Sequence, residues 1–250
     1  MYQKCPKCAY RRQPDDTGDR DICPACGLVF SKYLKTRFRS PDRRRGPDRD
    51  NSDGRLEAAH ALLFPAPDKP VARSTLLGKT LLWLFFAAWG LRLIWMDFET
   101  NAIGGSFMHL INLMFHEAGH AIFRPFGSFM TYLGGSLMQL IVPGVFVVAF
   151  LVHMRDAFGA AISLWWFGTS LMDLAPYIGD ARAMQLTLLG GGTGRDRPGM
   201  HDWNEILSRL GLLDWDRGLA WLADCLGELT VLASLAWSAM VLWKLHAARS

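Results

Sequence analysis

The chain has 250 residues, half of them hydrophobic, with 27 Lys and Arg against 23 Asp and Glu, and with ten Trp and eleven Met. Seventeen of the 27 basic residues precede residue 80, so the formal charge of +4 belongs to the front of the chain and gives no general argument for nucleic acid. This distribution excludes a single soluble globular domain, a disulfide-rich secreted domain, a collagen-like chain and a disordered protein. It predicts an all-α polytopic membrane protein with a small soluble head.

Met1–Tyr10 has no apolar core, so no cleaved secretory signal is expected. Residues 1–33 carry Cys5-Pro-Lys-Cys8 and Cys23-Pro-Ala-Cys26. Two C-x-x-C knuckles at this spacing give four thiolates that can close a tetrahedral zinc site. So short a unit has almost no core, and metal binding would supply its folding energy. A zinc ribbon is therefore expected, and a protein partner is among the things that such a ribbon can dock. The alternatives are two disulfides or a redox pair. Residues 34–75, with Arg43-Arg44-Arg45 and several Asp and Pro, read as a basic flexible linker. Within it, residues 56–64 read as a short amphipathic helix.

The remainder, residues 76–250, reads as the membrane-embedded domain. Five apolar segments, about 76–96, 103–123, 129–152, 157–179 and 219–244, each have room for the ~20 residues of a spanning helix. Trp83, Trp95, Trp165, Trp166, Trp221 and Trp243 suggest interfacial belts. Residues 180–218 are polar, and 202–213 read as a helix started by Asp202 as its N-cap. Five spans and the positive-inside rule put the basic head and the 180–218 loop on the same, cytoplasmic side. A compact chain of this topology fits a bacterial inner membrane.

The second segment contains His116-Glu117-Ala-Gly-His120. On a helix two His four apart share a face and can chelate one metal, and the Glu after the first can act as general base. His109 and Asn112 fall on the same stripe. Ionisable residues inside a span are costly and usually functional. A hydrogen-bonded polar seam between helices is the bland alternative. A catalytic zinc needs a third protein ligand, and the fourth segment ends in Asp173-Leu-Ala-Pro176-Tyr-Ile-Gly179-Asp180 on the side of the histidines.

An H-E-x-x-H span followed by a later span ending in such a motif resembles the site-2-protease superfamily of intramembrane zinc metalloproteases, over roughly residues 103–185. The resemblance implies His116, His120 and Asp180 as zinc ligands and Glu117 as the catalytic carboxylate, with Asp173 and His201 as alternative ligands. Gly134-Gly135-Ser-Leu-Met-Gln139 is similar to the Gly-containing segment near that family's active site. His109, Asn112, Asp173 and Gln139 are then expected to orient ligands or touch substrate. The activity implied is cleavage of peptide bonds in or near transmembrane segments of membrane proteins, with one catalytic and one structural zinc. The competing readings are an inactive membrane adaptor of the same fold, its ribbon binding a partner, and a metal transporter.

Overall fold

The computed structural model describes residues 4–16, 18–37, 51–65 and 71–248. Arg43–Arg45 of the linker lie outside the described residues. The chain divides into two compact units, Met1–Glu57 and Ala58–Ser250. Among the described residues every regular element is helical, apart from isolated bridges between single residue pairs.

The first unit is built from two turns of the same design. Cys5 N–H donates to Tyr10 O at 2.8 Å, and Cys23 N–H donates to Leu28 O at 2.9 Å. Each turn closes in a left-handed residue, Ala9 at φ 58° and Gly27 at φ 68°. A small core of Cys5, Cys23 and Phe30, with Tyr10 and Leu28 packed against it, joins them. Helix α1, Phe30–Arg37, follows.

Helix α2, Asn51–Leu63, ends in the second unit and covers most of the helix expected at 56–64, but its apolar residues do not gather on one face as an amphipathic helix would require. Then come α3 (Arg73–Ile94), α4 (Phe107–Phe123), α5 (Ser128–Val148), α6 (Ala157–Gly179), α7 (Asp202–Leu210) and α8 (Asp216–Ala247). All five predicted apolar segments are helical. Three stretches are long and apolar enough to cross a membrane: Arg73–Ile94, Ser128–His153 and Leu213–Ala247. Helix α4 has only 17 residues. Helix α6 buries fifteen of its 23 residues, Ser, Thr and Asp among them, so it is the central helix of the bundle. Its polar residues face neighbouring helices, which dilutes its apolarity without exposing those groups to lipid. Helices α6 and α8 touch backbone to backbone at Gly168 and Gly227. A Cβ on Gly168 would lie 2.8 Å from the Gly227 carbonyl.

Contacts along the bundle fix its two ends. At one end Lys79 pairs with Asp156 at 3.0 Å, Trp83 donates to the Leu235 carbonyl and Trp237 donates to that of Leu63. The start of α3, the α5–α6 turn and the last part of α8 therefore lie together. At the other end Phe98 packs with Leu174, Ile178 and Ala220, and Arg182 holds Asp216. Helix α4 does not carry the chain between these ends. Two 3₁₀ turns, Phe98–Thr100 and Ala102–Gly105, lead inward until Ile103 is buried with Leu93 and Trp165. Ser106 Oγ then accepts from His109 N–H and caps α4, a contribution of about 1 kcal/mol. Helix α4 runs back out along the first part of α5, meeting it at Gly135 and then at Gly134. The 180–218 loop therefore lies at the end of this bundle opposite the start of α3, because α4 turns back within the bundle.

The Trp residues divide into two groups. Trp95, Trp221 and Trp243 are exposed, but Trp165 is fully buried in the core. Trp166 donates its Nε1–H to Asn112 Oδ1 at 2.9 Å, bracing α4 against α6.

Candidate metal centres

In the first unit the Sγ atoms of Cys5 and Cys26, and of Cys8 and Cys23, are each 3.7 Å apart. All four lie within 4.8 Å of one another and can hold a metal ion. Four sulfurs at ~2.3 Å from a tetrahedral ion are separated by ~3.8 Å, so this spacing fits zinc and is far too long for a disulfide. Burial pushes the Cys5 thiol up, but the amides of Cys8 and Lys7 outweigh it and draw it down to about 6. The Tyr10 amide draws Cys8 of the same knuckle down, but burial and the neighbouring sulfurs outweigh it and push that thiol up to about 12. Without an ion the thiols therefore share their protons, and one thiolate is favoured at the others' expense.

The second unit brings His116 and His120 of α4 together with Asp202 of α7. Asp202 Oδ2 is 3.0 Å from His116 Nε2 and 3.3 Å from His120 Nε2. Ligand atoms ~2.0–2.1 Å from a tetrahedral ion stand ~3.3 Å apart, and these distances are close to that. The other ring edges are fixed too. His120 Nδ1 meets the Thr131 carbonyl at 2.8 Å, and His116 Nδ1 meets Gln139 Oε1 at 3.2 Å. Both partners accept, so each Nδ1 carries a proton and each Nε2 is turned toward Asp202, where a proton or a metal ion can lie between ring and carboxylate. With both rings neutral, two lone pairs and a carboxylate directed at one point repel unless a cation lies between them. The donor set fits a divalent metal with nitrogen and oxygen preference.

Local sequence explains the placement. A Cβ on Gly135 would lie 2.5 Å from His116 Nε2, so only glycine leaves room for the ring. A Cβ on Gly119 would overlap the Gly134 carbonyl, so α4 and α5 are in backbone contact beside the histidines. Helix α7 is capped by His201, whose Nδ1 accepts from Asn204 N–H at 3.2 Å. Asp202 is therefore not the N-cap that the sequence suggests, and its carboxylate is free to face α4. Tyr177 anchors it: the hydroxyl donates to Asp202 Oδ2 at 3.2 Å and accepts from Asp202 N–H at 2.9 Å. Trp203 Nε1 donates to Ser136 Oγ and ties α7 to α5. Burial pushes the Asp202 carboxyl up, but the hydrogen bonds from His116 and His120 outweigh this and hold it below the ordinary range.

Asp180, the ligand expected from the resemblance, lies elsewhere. Its carboxylate accepts from Gln185 N–H at 2.9 Å, Leu186 N–H at 2.8 Å and His201 Nε2 at 3.2 Å, pinning the loop after α6. It is not grouped with the two histidines, and Arg182 pairs with Asp216 instead of with it. His201, the other reserve, is buried between Asp180 and the α7 cap. Asp173 sits with His109, Asn112 and Gln139 in one hydrogen-bonded network, as a ligand-orienting group would. Glu117 is exposed into a cavity of about 730 Å³ that His109, His116, His120 and Asp202 also line. Asp202 and Tyr177 are the residues that sequence reasoning missed. The usable signal was His201-Asp202 at a helix start, where the first residue can cap and release the second. No protein-family model matches the chain, no curated protein matches its sequence and no solved structure matches its fold.

Proposed function

We propose that the second unit is an intramembrane zinc metalloprotease that hydrolyses peptide bonds in or near transmembrane segments of membrane proteins. The observation that carries this is the convergence of two H-E-x-x-H imidazoles and a carboxylate on one point beside a cavity that also receives Glu117. In this reading His116, His120 and Asp202 hold the zinc, and the third ligand comes from α7 instead of from Asp180. The first unit holds a structural zinc on Cys5, Cys8, Cys23 and Cys26.

Bound zinc supplies Lewis acidity, bringing water toward a pKa of ~7 and polarising a peptide carbonyl. The chain supplies the rest. Thr131 and Gln139 fix the tautomer and direction of the imidazoles. Glu117, open to the cavity, takes the proton that water gives up and returns it to the leaving amine. Leu113, Leu174 and Leu186 make part of the cavity apolar, which strengthens electrostatic contacts inside it. A helical substrate hides its amides, so the segment that enters has to unwind first.

Metal content of the full chain in detergent, with cleavage of β-casein as a generic assay, tests the proposal. About two zinc ions per chain are expected, falling to about one in Asp202→Ala and staying at about two in Asp180→Ala and Glu117→Gln. Glu117→Gln should lose cleavage while keeping metal. An Asp202→Ala protein with full zinc, or a Glu117→Gln protein as active as wild type, would overturn it. Cysteines introduced at Ala72 and Gly191 test the re-entrant path of α4 in sealed vesicles. They should be labelled from opposite faces, and labelling of both from one face would sink it.

A further inference from the structure

The Asp173 carboxylate is 3% exposed. His109 Nδ1 at 2.8 Å, Gln139 Nε2 at 3.0 Å and Asn112 Nδ2 at 3.1 Å close on it. Among the described residues no Lys or Arg pairs with it, and His109 is the one side chain in contact that can carry a positive charge. A buried carboxylate is costly without such a counter-charge. A carboxylate in this setting accepts, so His109 donates its Nδ1–H. The opposite ring edge, Nε2, has no hydrogen-bond partner among the described residues. A merely structural histidine would be enclosed, yet this side chain is 33% exposed and lines the same cavity as the metal ligands.

Helix α4 presents His109, Leu113, His116, Glu117, His120 and Arg124 to that cavity along one face. Seven residues of helix separate His109 from His116, about 10.5 Å along the axis. An extended peptide covers that distance in about three residues.

We infer that His109, held and charge-balanced by Asp173, is a substrate-binding group whose Nε2–H takes an oxygen acceptor about three residues from the scissile bond. The acceptor is a backbone carbonyl or a carboxylate of an unwound peptide lying along α4. The inference rests on the proposed metalloprotease reading and deepens it. Asp173 is a positioning residue, acting through His109 on one side and through Gln139 on the other.

Hydroxamates test this on the zinc-loaded full chain in detergent, because they bind at the metal and need no turnover. The probes are acetohydroxamate and alanine tripeptides carrying the hydroxamate at either end, each made with a carboxylate or a neutral amide at the remote end. Wild type should bind at least one tripeptide polarity about tenfold more tightly than acetohydroxamate, as one charge-assisted hydrogen bond would give. His109→Ala should remove that gain while zinc content and acetohydroxamate affinity stay unchanged. His109→Gln, a neutral donor, should restore part of it for the amide-ended probe only. A gain confined to carboxylate-ended probes identifies an acidic acceptor, and an equal gain with amides identifies a carbonyl. Tight tripeptide binding that survives His109→Ala would overturn the inference. So would a variant that weakens acetohydroxamate as much as the tripeptide. Failure of acetohydroxamate to bind wild type is a different outcome: it removes the metal site, and the subsite with it.

Discussion

The four cysteines come from a stretch in which the outermost pair is 21 residues apart, whereas His116 and Asp202 are separated by 86. The cysteine cluster is made by two copies of one tight turn, and its ligands surround the centre on all sides. The histidine cluster is assembled by a helical bundle and leaves an open flank on a cavity. Closed four-ligand sites are structural, and three-ligand sites with an open position are the form that catalysis uses. The contrast also says what folds what. Among the described residues only Phe30, Tyr10 and Leu28 pack around the cysteines, so an ion held there would have to supply the stability. The second unit has an apolar core of its own, in which Trp165, Met172 and Val231 pack with their neighbours.

The largest expected effect follows from that asymmetry. Cys5→Ser or Cys8→Ser should unfold the first unit, since structural zinc contributes on the order of 10 kcal/mol to units of this size. Limited proteolysis reads this directly: cleavage within residues 4–37 should become fast, while residues 71–248 stay resistant. His116→Ala should empty its own site and leave both units folded. If His116→Ala exposed the helices to protease as readily as a Cys variant exposes the knuckles, the distinction between a metal-built and a metal-holding site would fail.

Two glycines sharpen the same comparison at a finer level. Gly135 is confined by the His116 ring, so Gly135→Ala must displace a ligand that is held at both edges. Metal affinity should fall about 10- to 100-fold, with about 1–3 kcal/mol of lost stability from overpacking. Gly27 has open space around its Cβ position, but its φ is +68°. Gly27→Ala should cost about 1 kcal/mol of backbone strain and leave the first site able to bind. Titration with a chromogenic chelator separates the two. Equal losses at both sites would mean that the geometry of the histidine site is no more demanding than that of the knuckles.

The difference between the regions also decided what the sequence disclosed. The knuckles are local: C-x-x-C twice, with Gly27 after the last Cys, states both ligands and turn within one short stretch. His116, Glu117 and His120 are local in the same sense, since helical periodicity alone puts them on one face. The third ligand is not. Asp180 and Asp202 are both short acids at helix ends and Asp173 lies inside α6, and which one meets His116 and His120 depends on the path of the intervening loop. That path is set by Asp180 binding two amides and His201, an arrangement that no spacing rule foretells. The path of α4 was hidden for a related reason. An apolar segment of sufficient length reads as a span, but α4 is preceded by 3₁₀ turns at Phe98–Thr100 and Ala102–Gly105 that spend part of that length entering from the same end. The interior helix α6 was legible as a helix, and its Asp173 as a hydrogen-bonding partner of a histidine, because a buried acid has few other ways to be satisfied.

Asp180 provides the smallest predicted effect and separates a loop anchor from a metal ligand. Burial raises its carboxyl, but the His201 ring and the amides of Gln185 and Leu186 outweigh that and hold it below the ordinary range. A folded value below the unfolded one, ~3.9, means that ionised Asp180 adds stability above that pH. The contribution is lost as pH falls through the folded value. Asp180→Asn lacks the charge and should be less stable than wild type by about 1–2 kcal/mol near neutrality, the scale of a charge-assisted hydrogen bond. The gap should close as the pH falls below the ordinary carboxylate range. Thermal unfolding of both proteins in detergent, with metal removed so that ligand protonation does not intrude, measures it. A gap that stays constant across the whole range would assign Asp180 to packing. A gap that vanished at neutral pH on metal removal would return Asp180 to the ligand set, because its contribution would then depend on the ion and not on the loop it pins.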